Sequence, residues 1–285
     1  MNNTLIADSG STKTLWAVGT KRVGTQGINP VHQDDDTILA ILRNELLPQL
    51  STLNPQLSTL NPHPSPLTSI RFYGSGVGSD QEQRMECLLR TVFPDVAHVE
   101  ARSDMLGAAR ALCGRSEGQA CILGTGANSC IYDGERIVQN TPALGYILGD
   151  EGSGAVLGRL FVNALYKNGL YQNAKEEFEA SFHMTMADVI SRVYRQPMAN
   201  RWLASLAPYI GQHIDQPAVA SLVEDNFRSF ITHNLVPYNR RDLPITAVGS
   251  IAYHFREQLQ QAAAAEGYAL GTVLQNPVDA LVAME

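Results

Sequence analysis

The chain has 285 residues, of which 44% are hydrophobic and 17% charged, and it carries a formal net charge of −7 with a pI near 5.5. These values exclude global disorder, and the lack of a basic patch or stripe argues against a nucleic-acid partner. At about 100–200 residues per domain the length suggests two domains. The four cysteines, Cys87, Cys113, Cys121 and Cys130, form no C-x-x-C pair and no Cys/His ligand spacing, so four free thiols in a reducing cytoplasm are expected. The N-terminus lacks the basic and apolar stretches of a signal peptide. No apolar run approaches the ~20 residues of a membrane span. A cytoplasmic protein with no membrane partner is the expectation.

Thr4–Ala7 and Thr14–Gly19 read as the arms of a β-hairpin around a Gly/Ser/Thr turn. Gly24–Pro30 is a second turn-rich stretch. Ile38, Ile41, Leu42, Leu46 and Leu50 predict a helix over Thr37–Leu50. Gln49–Pro55 is repeated residue for residue at Gln56–Pro62. Two copies, each closed by Asn-Pro, read as an insertion into a surface loop and not as a structural repeat. Ser69–Tyr73 predicts a strand and Gly74–Gly78 a turn, with Ser79 or Asp80 capping a helix to Val92. A strand at Ala97–Glu100 leads to a helix from Ser103 or Asp104 to Leu112. The polar, Gly-rich stretch Gly114–Gly118 marks a seam, dividing 1–117 from 118–285.

The second half opens on the same plan: strand Ala120–Leu123, turn Gly124–Gly126, returning strand Ser129–Tyr132, the hairpin signal Asp133-Gly134 and a strand at Arg136–Val138. A helical insertion over about 155–235 follows, with helical spacing near 155–166, 173–182, 186–194, 199–206 and 216–234. Ile245–Gly249 is a strand, followed by a helix from Ser250 or Ile251 to Glu266, a strand near Leu270–Gln275 and a terminal helical turn after Pro277.

Five motifs carry chemistry. In Asp8-Ser-Gly-Ser-Thr-Lys13, Gly10, Ser11 and Thr12 let backbone N–H groups form an anion-binding concavity, and Lys13 adds charge. A carboxylate beside such a turn repels phosphate unless a cation lies between, and Mg²⁺ suits Asp8 directly or through water. Gly124-Thr125-Gly126 repeats the device, with Asn128 as the polar side chain that reaches a sugar hydroxyl. Gly145-Tyr-Ile-Leu-Gly-Asp-Glu-Gly-Ser-Gly154 sets Asp150 and Glu151 among glycines at a helix start, where Asp150 either caps backbone N–H groups or meets metal-bound water or a substrate hydroxyl. Asp104 is either a helix cap or the carboxylate that a kinase needs near the attacking hydroxyl. In Ala247-Val-Gly-Ser-Ile-Ala252 a strand–Gly-Ser–helix turn lets adenine or ribose lie against backbone.

In this order the motifs resemble the BadF/BadG/BcrA/BcrD-type ATPase family, and within it the N-acetylglucosamine kinases, over nearly the whole chain. Leu123-Gly-Thr-Gly-Ala-Asn-Ser129 and Leu148-Gly-Asp-Glu-Gly-Ser-Gly154 are the most specific parts. The resemblance implies an α/β, actin-like ATPase fold, with two ribonuclease-H-like domains around an interdomain cleft. It implies an ATP- and Mg²⁺-dependent kinase acting on the 6-hydroxyl of an amino sugar. It assigns Asp104 as the general base and Asp8–Lys13 with Gly124–Gly126 as the phosphate segments. It places Gly249 and Ser250 at adenosine, and Asn29, Thr125, Asn128, Gly145, Tyr146 and Asp150 around the sugar.

The chain has Val31 where vertebrate members carry an aromatic residue, and Tyr146 where they carry Trp. The partner is then a small-molecule sugar, with a homodimer compatible. Two alternatives stand beside this reading. One is an ATPase driving a protein partner, like the family's dehydratase activators, whose cluster-binding cysteine pattern is not matched here. The other is a nucleotide- or sugar-sensing regulator.

Overall fold

The structure is a computed structural model that describes residues 3–10, 12–53, 67–167 and 169–285. It divides into two compact units, Met1–Gly114 with Asn276–Glu285, and Arg115–Gln275. The seam lies beside the one expected from sequence. The last ten residues, expected with the second half, pack with the first unit. Their helix, Val278–Ala283, buries Leu281 against Ile6 and Tyr73. Arg22 pairs with Asp279 (2.5 Å) and Arg71 with Glu285 (3.0 Å).

The first unit has five strands: β1 (Thr4–Ser9), β2 (Lys13–Val18), β3 (Lys21–Gln26), β4 (Ser69–Gly74) and β5 (His98–Ser103). Their order in the sheet is β3-β2-β1-β4-β5, antiparallel on the β2–β3 side of β1 and parallel on the β4–β5 side. β3 occupies part of what reads in sequence as a turn-rich stretch. Only Val23 and Thr25 face inward there, an alternation too short, and too interrupted by Gly24, to stand out. The Trp16 indole N–H donates to Thr25 Oγ1 (3.0 Å) and its ring packs on Phe72, so the strand is tied to the centre of the core.

Helix α1 (Asp35–Ile41) runs through a π turn (Leu42–Leu46) into α2 (Leu47–Leu53), so the helical stretch outruns the expected Thr37–Leu50 at both ends. Asp34 accepts the Thr37 N–H and sets the earlier start. The duplicated heptad lies, from residue 54 on, outside the described residues. Helix α3 (Glu82–Val92) begins after Gln81 without a side-chain cap, so neither Ser79 nor Asp80 serves as one. Helix α4 (Asp104–Cys113) is capped by Ser103, whose Oγ accepts the Leu106 N–H (3.3 Å).

The second unit repeats the topology with β6 (Gly118–Leu123), β7 (Ala127–Tyr132), β8 (Ile137–Thr141), β9 (Ile245–Val248) and β10 (Leu270–Leu274), in the order β10-β9-β6-β7-β8. β6 again pairs antiparallel with its hairpin partner and parallel with the strand that follows the crossover. Between β8 and β9 lies the helical insertion: α5 (Gly145–Leu148), α6 (Gly154–Lys167), α7 (Ala174–Phe182), α8 (Met186–Tyr194), α9 (Ala199–Ala204), α10 (Ala207–Gln212) and α11 (Pro217–Phe230), the last ending in a π turn (Ile231–Leu235). Phe161, Phe178, Phe227 and Phe230 pack it against the sheet. The single helix expected over 250–266 is two, α12 (Ser250–His254) and α13 (Arg256–Ala265), broken at the buried Phe255. None of the four cysteines is in a disulfide; Cys121 and Cys130 are buried and Cys87 is exposed. Among the described residues no helix is long and apolar enough to cross a membrane.

Replacing Thr25 by Val keeps the shape and leaves the buried Trp16 N–H without its acceptor. A loss of about 1–3 kcal/mol in denaturant unfolding is expected. A change below about 0.5 kcal/mol, the range of ordinary surface substitutions, would show that β3 does not anchor the core.

Candidate active site

In the first unit the parallel strands place their C-terminal ends side by side: Ser9 is in register with Gly74, and Gly74 with Ser103. Open α/β sheets bind ligands at such carboxyl ends. Asp8 is the penultimate residue of β1 and Asp104 follows β5 as the first residue of α4. Both are half-buried, and neither has an ion-pair partner among the described residues. Burial pushes the Asp8 carboxyl up to about 7, with repulsion from Asp104 adding to the rise and Lys13 opposing it. Burial likewise raises Asp104 to about 6, partly offset by the Met105 N–H, which donates to its Oδ1 (2.8 Å). The cap reading of Asp104 therefore gives way: Ser103 fills the cap position, and the Asp104 carboxyl accepts from the Met105 N–H and its own backbone N–H.

The β1–β2 turn closes through Gly10 N–H to Lys13 O (3.0 Å), with Gly10, Thr12 and Lys13 exposed. Ser11 lies outside the described residues. The turn is seated by Ser9, a residue to which sequence reading gave no role. Its buried Oγ donates to Ile28 O (3.0 Å), accepts the Ile28 N–H (2.9 Å) and shares a hydrogen bond with Thr14 Oγ1 (2.6 Å). The same hydroxyl thus fixes the chain just ahead of Asn29. Asn29 Oδ1 accepts the Val31 N–H (3.0 Å), and its amide lies against Gly76, whose φ of +79° and missing Cβ make room for it. The Ser75 N–H donates to Ser9 O (2.8 Å), so both loops converge on the end of β1.

In the second unit the β6–β7 turn closes in the same way, with Gly124 N–H bonded to Gly126 O (3.0 Å). The first amides of α6 are spent on this turn: Gly154 N–H donates to Gly124 O (2.8 Å) and Ala155 N–H to Thr125 O (3.1 Å). The helix N-terminus therefore holds the turn. Because a trans peptide sets its N–H opposite its C=O, the bound carbonyls of Gly124 and Thr125 aim the N–H groups of Thr125 and Gly126 away from α6. Two N–H groups directed away from α6 on a glycine turn are donors of the kind that anion-binding nests use.

Asp150, at φ +52°, accepts backbone N–H groups from Ala127 and Gly145. Burial raises its carboxyl to about 6, the Ala127 bond opposing and Glu151 adding to the rise. It thereby joins the segment carrying Gly145 and Tyr146 to the foot of the turn. Asn128 Oδ1 already accepts from Asn140 Nδ2 (2.9 Å) and from the Ser129 N–H (2.9 Å), which leaves its own amide hydrogens for a ligand. Gly249 sits at φ +130° with its Cα against the Leu123 carbonyl, so the β9–α12 turn with Ser250 abuts the same strand end.

The donor set bears on a metal. Among the described residues no group of three or more His, Cys, Asp or Glu side chains can hold an ion. A site built on one or two carboxylates and completed by water and phosphate oxygens is the habit of Mg²⁺. Asp8, lacking a counter-cation, fits that role.

Proteins of known structure resemble the chain over nearly its whole length. The chain is 45% identical to a Porphyromonas gingivalis protein of known structure described as a putative N-acetylglucosamine kinase, covering 99% of this chain and 98% of that one with a TM-score of 0.92. A Chromobacterium violaceum protein with the same description matches at 16% identity, 99% and 98% coverage and a TM-score of 0.71. A ROK family glucokinase from Streptomyces griseus, in complex with glucose and AMPPNP, shares the fold at 12% identity, 99% and 97% coverage and a TM-score of 0.59. No family model and no curated protein matches the chain. With the two five-stranded mixed sheets, these likenesses place the chain in the actin-like, two-domain fold class.

The raised carboxyls have a consequence for stability. An acid whose folded value exceeds its unfolded one contributes stability below its unfolded value, and that contribution is lost as pH rises through the folded value. The metal-free protein is therefore expected to lose stability between about pH 4 and pH 7 through Asp8 and Asp104. Asp8→Asn should flatten that slope in chemical denaturation run with chelator. An unchanged slope would mean that Asp8 ionises in the folded protein as freely as in water.

Proposed function

From the premise that this chain belongs to the same family as the Porphyromonas gingivalis protein, we propose that it is an ATP-dependent sugar kinase. Its substrate is N-acetylglucosamine or a related amino sugar, phosphorylated at the 6-hydroxyl, as the BadF/BadG/BcrA/BcrD resemblance implies. The observation that carries the reading is the pairing of Asp8 with Asp104 at the ends of parallel strands, both held well above the usual carboxylate range. A general base works best when its pKa lies near the operating pH, and Asp104, raised to about 6, meets that condition.

Asp104 accepts the proton of the attacking sugar hydroxyl. Its own N–H contact from Met105 fixes the carboxyl orientation before substrate arrives. MgATP supplies the phosphoryl group and the charge that offsets it in transfer. Asp8 would hold the cation directly or through water, and Lys13, exposed at the start of β2, would offset phosphate charge together with the N–H groups of the Gly10–Thr12 turn. The Thr125 and Gly126 N–H groups form the second phosphate segment. Gly249 and Ser250 lie at adenosine. Asn29, Thr125, Asn128, Gly145, Tyr146 and Asp150 bind the sugar.

The test is Asp104→Asn, assayed with ATP over a panel of hexoses and hexosamines. The amide keeps the shape and cannot take a proton, so kcat should fall by about 10²–10⁴-fold with the sugar KM nearly unchanged. Turnover near wild type would remove Asp104 from the role of base.

A further inference from the structure

One of the buried side chains of α11 is polar where its neighbours are apolar. Asn226 is 1% exposed and shares the inward face of α11 with Val223, Phe227 and Phe230. A buried amide is costly unless its hydrogen bonds are made. Here one amide is used on both edges: Oδ1 accepts the Gly152 N–H (3.1 Å) and Nδ2 donates to Ser153 O (3.3 Å). Ser153, fully buried, then starts α6, its Oγ accepting the Val156 N–H (3.2 Å). The next two residues, Gly154 and Ala155, give their N–H groups to the carbonyls of the Gly124–Gly126 turn. A second amide follows further along: Asn234, in the π turn, donates to Glu151 Oε2 (3.4 Å) while its carbonyl accepts from Thr141 Oγ1 (2.9 Å). π turns inside helices often accompany functional sites.

We propose that Asn226 is a positioning residue for nucleotide binding, fixing through Gly152, Ser153 and the first turn of α6 the direction in which the Thr125 and Gly126 N–H groups face phosphate. This rests on the kinase reading above. The reason is geometric. An amide that matches a donor and an acceptor on successive residues holds that backbone in a single orientation. The first amides of α6 reach both turn carbonyls only from a defined start point. If the start of α6 turns, the two peptide planes of the turn tilt with it, and their N–H groups no longer converge. The helical insertion, which contributes no residue that the sequence placed at the phosphates, is thereby coupled to phosphate recognition. Asp150, on the same loop, keeps its own bonds to the Ala127 and Gly145 N–H groups, so sugar binding depends less on this anchor.

The experiment measures MgADP binding by titration calorimetry and, separately, the KM for ATP and for the accepted sugar, in the full chain carrying Asn226→Leu, Asn226→Asp or Val223→Ala. Val223→Ala removes buried volume from the same face of α11 without deleting either Asn226 hydrogen bond to the loop. Asn226→Leu should weaken MgADP binding and raise the ATP KM about tenfold to hundredfold, the scale of remote misplacement, with the sugar KM within about twofold. Asn226→Asp, which keeps the acceptor for Gly152 and loses the donor, should show a smaller loss and covers the case in which the leucine variant does not fold. Val223→Ala should lower Tm and leave MgADP affinity within about twofold. Wild-type-like nucleotide affinity in both Asn226 variants, or an equal loss in Val223→Ala, overturns the assignment. Absence of MgADP binding by the wild-type protein overturns the kinase reading itself, and this inference with it.

Discussion

Two carboxyl groups at the carboxyl ends of parallel strands, Asp104 repelling Asp8, are the constraint around which the first unit is arranged. Asp8 and Asp104 are brought together by the parallel register of β1, β4 and β5, which no local sequence preference can relax. Burial raises both carboxyls, Asp104 to about 6 and Asp8 to about 7, where repulsion from Asp104 adds to the rise and Lys13 opposes it. A cation bound at Asp8 would reverse the balance, drawing its carboxyl down and relieving Asp104 of a negative neighbour. On the proposed function, the unfavourable charge arrangement would become favourable with metal and phosphate bound, as expected of a site complementary to a charged ligand and indifferent to its own stability.

The two units solve one problem in two ways. Each ends its first strand in a turn closed by a glycine N–H, at 3.0 Å in both. In the first unit a buried hydroxyl, Ser9, seats the turn by bonding Ile28 and Thr14. In the second the N-terminus of α6 does so, and α6 is in turn set by Asn226 on α11. The second arrangement makes the turn depend on elements distant in sequence. That is why a helical insertion of some eighty residues can matter to a three-residue loop.

Much of this was legible in the sequence. The strand–turn–strand duplication showed as two apolar runs bracketing Gly-rich turns, whereas Asp104 read by itself as a helix cap and took the base role only from the family resemblance. The hidden parts have physical causes. β3 has only two inward residues, so its identity comes from pairing with β2 and from the Trp16–Thr25 bond. The final ten residues carry no signal of which unit they join, since that is decided by the burial of Leu281 and the pairing of Arg22 with Asp279. Ser9 looked like one more small residue in a turn. Asn226 did carry a signal, a lone amide on an apolar helical stripe, but its partners lie more than seventy residues away and only the fold brings them to it.

The central claim is that the paired turns and carboxylates serve phosphoryl transfer to a sugar. The most direct measurement is ADP release from MgATP, with wild-type protein, across a panel of hexoses and hexosamines beside a control without sugar. The account predicts little release in the control and a strong stimulation by N-acetylglucosamine or a close amino sugar. ADP release that proceeds equally well without any sugar would contradict it.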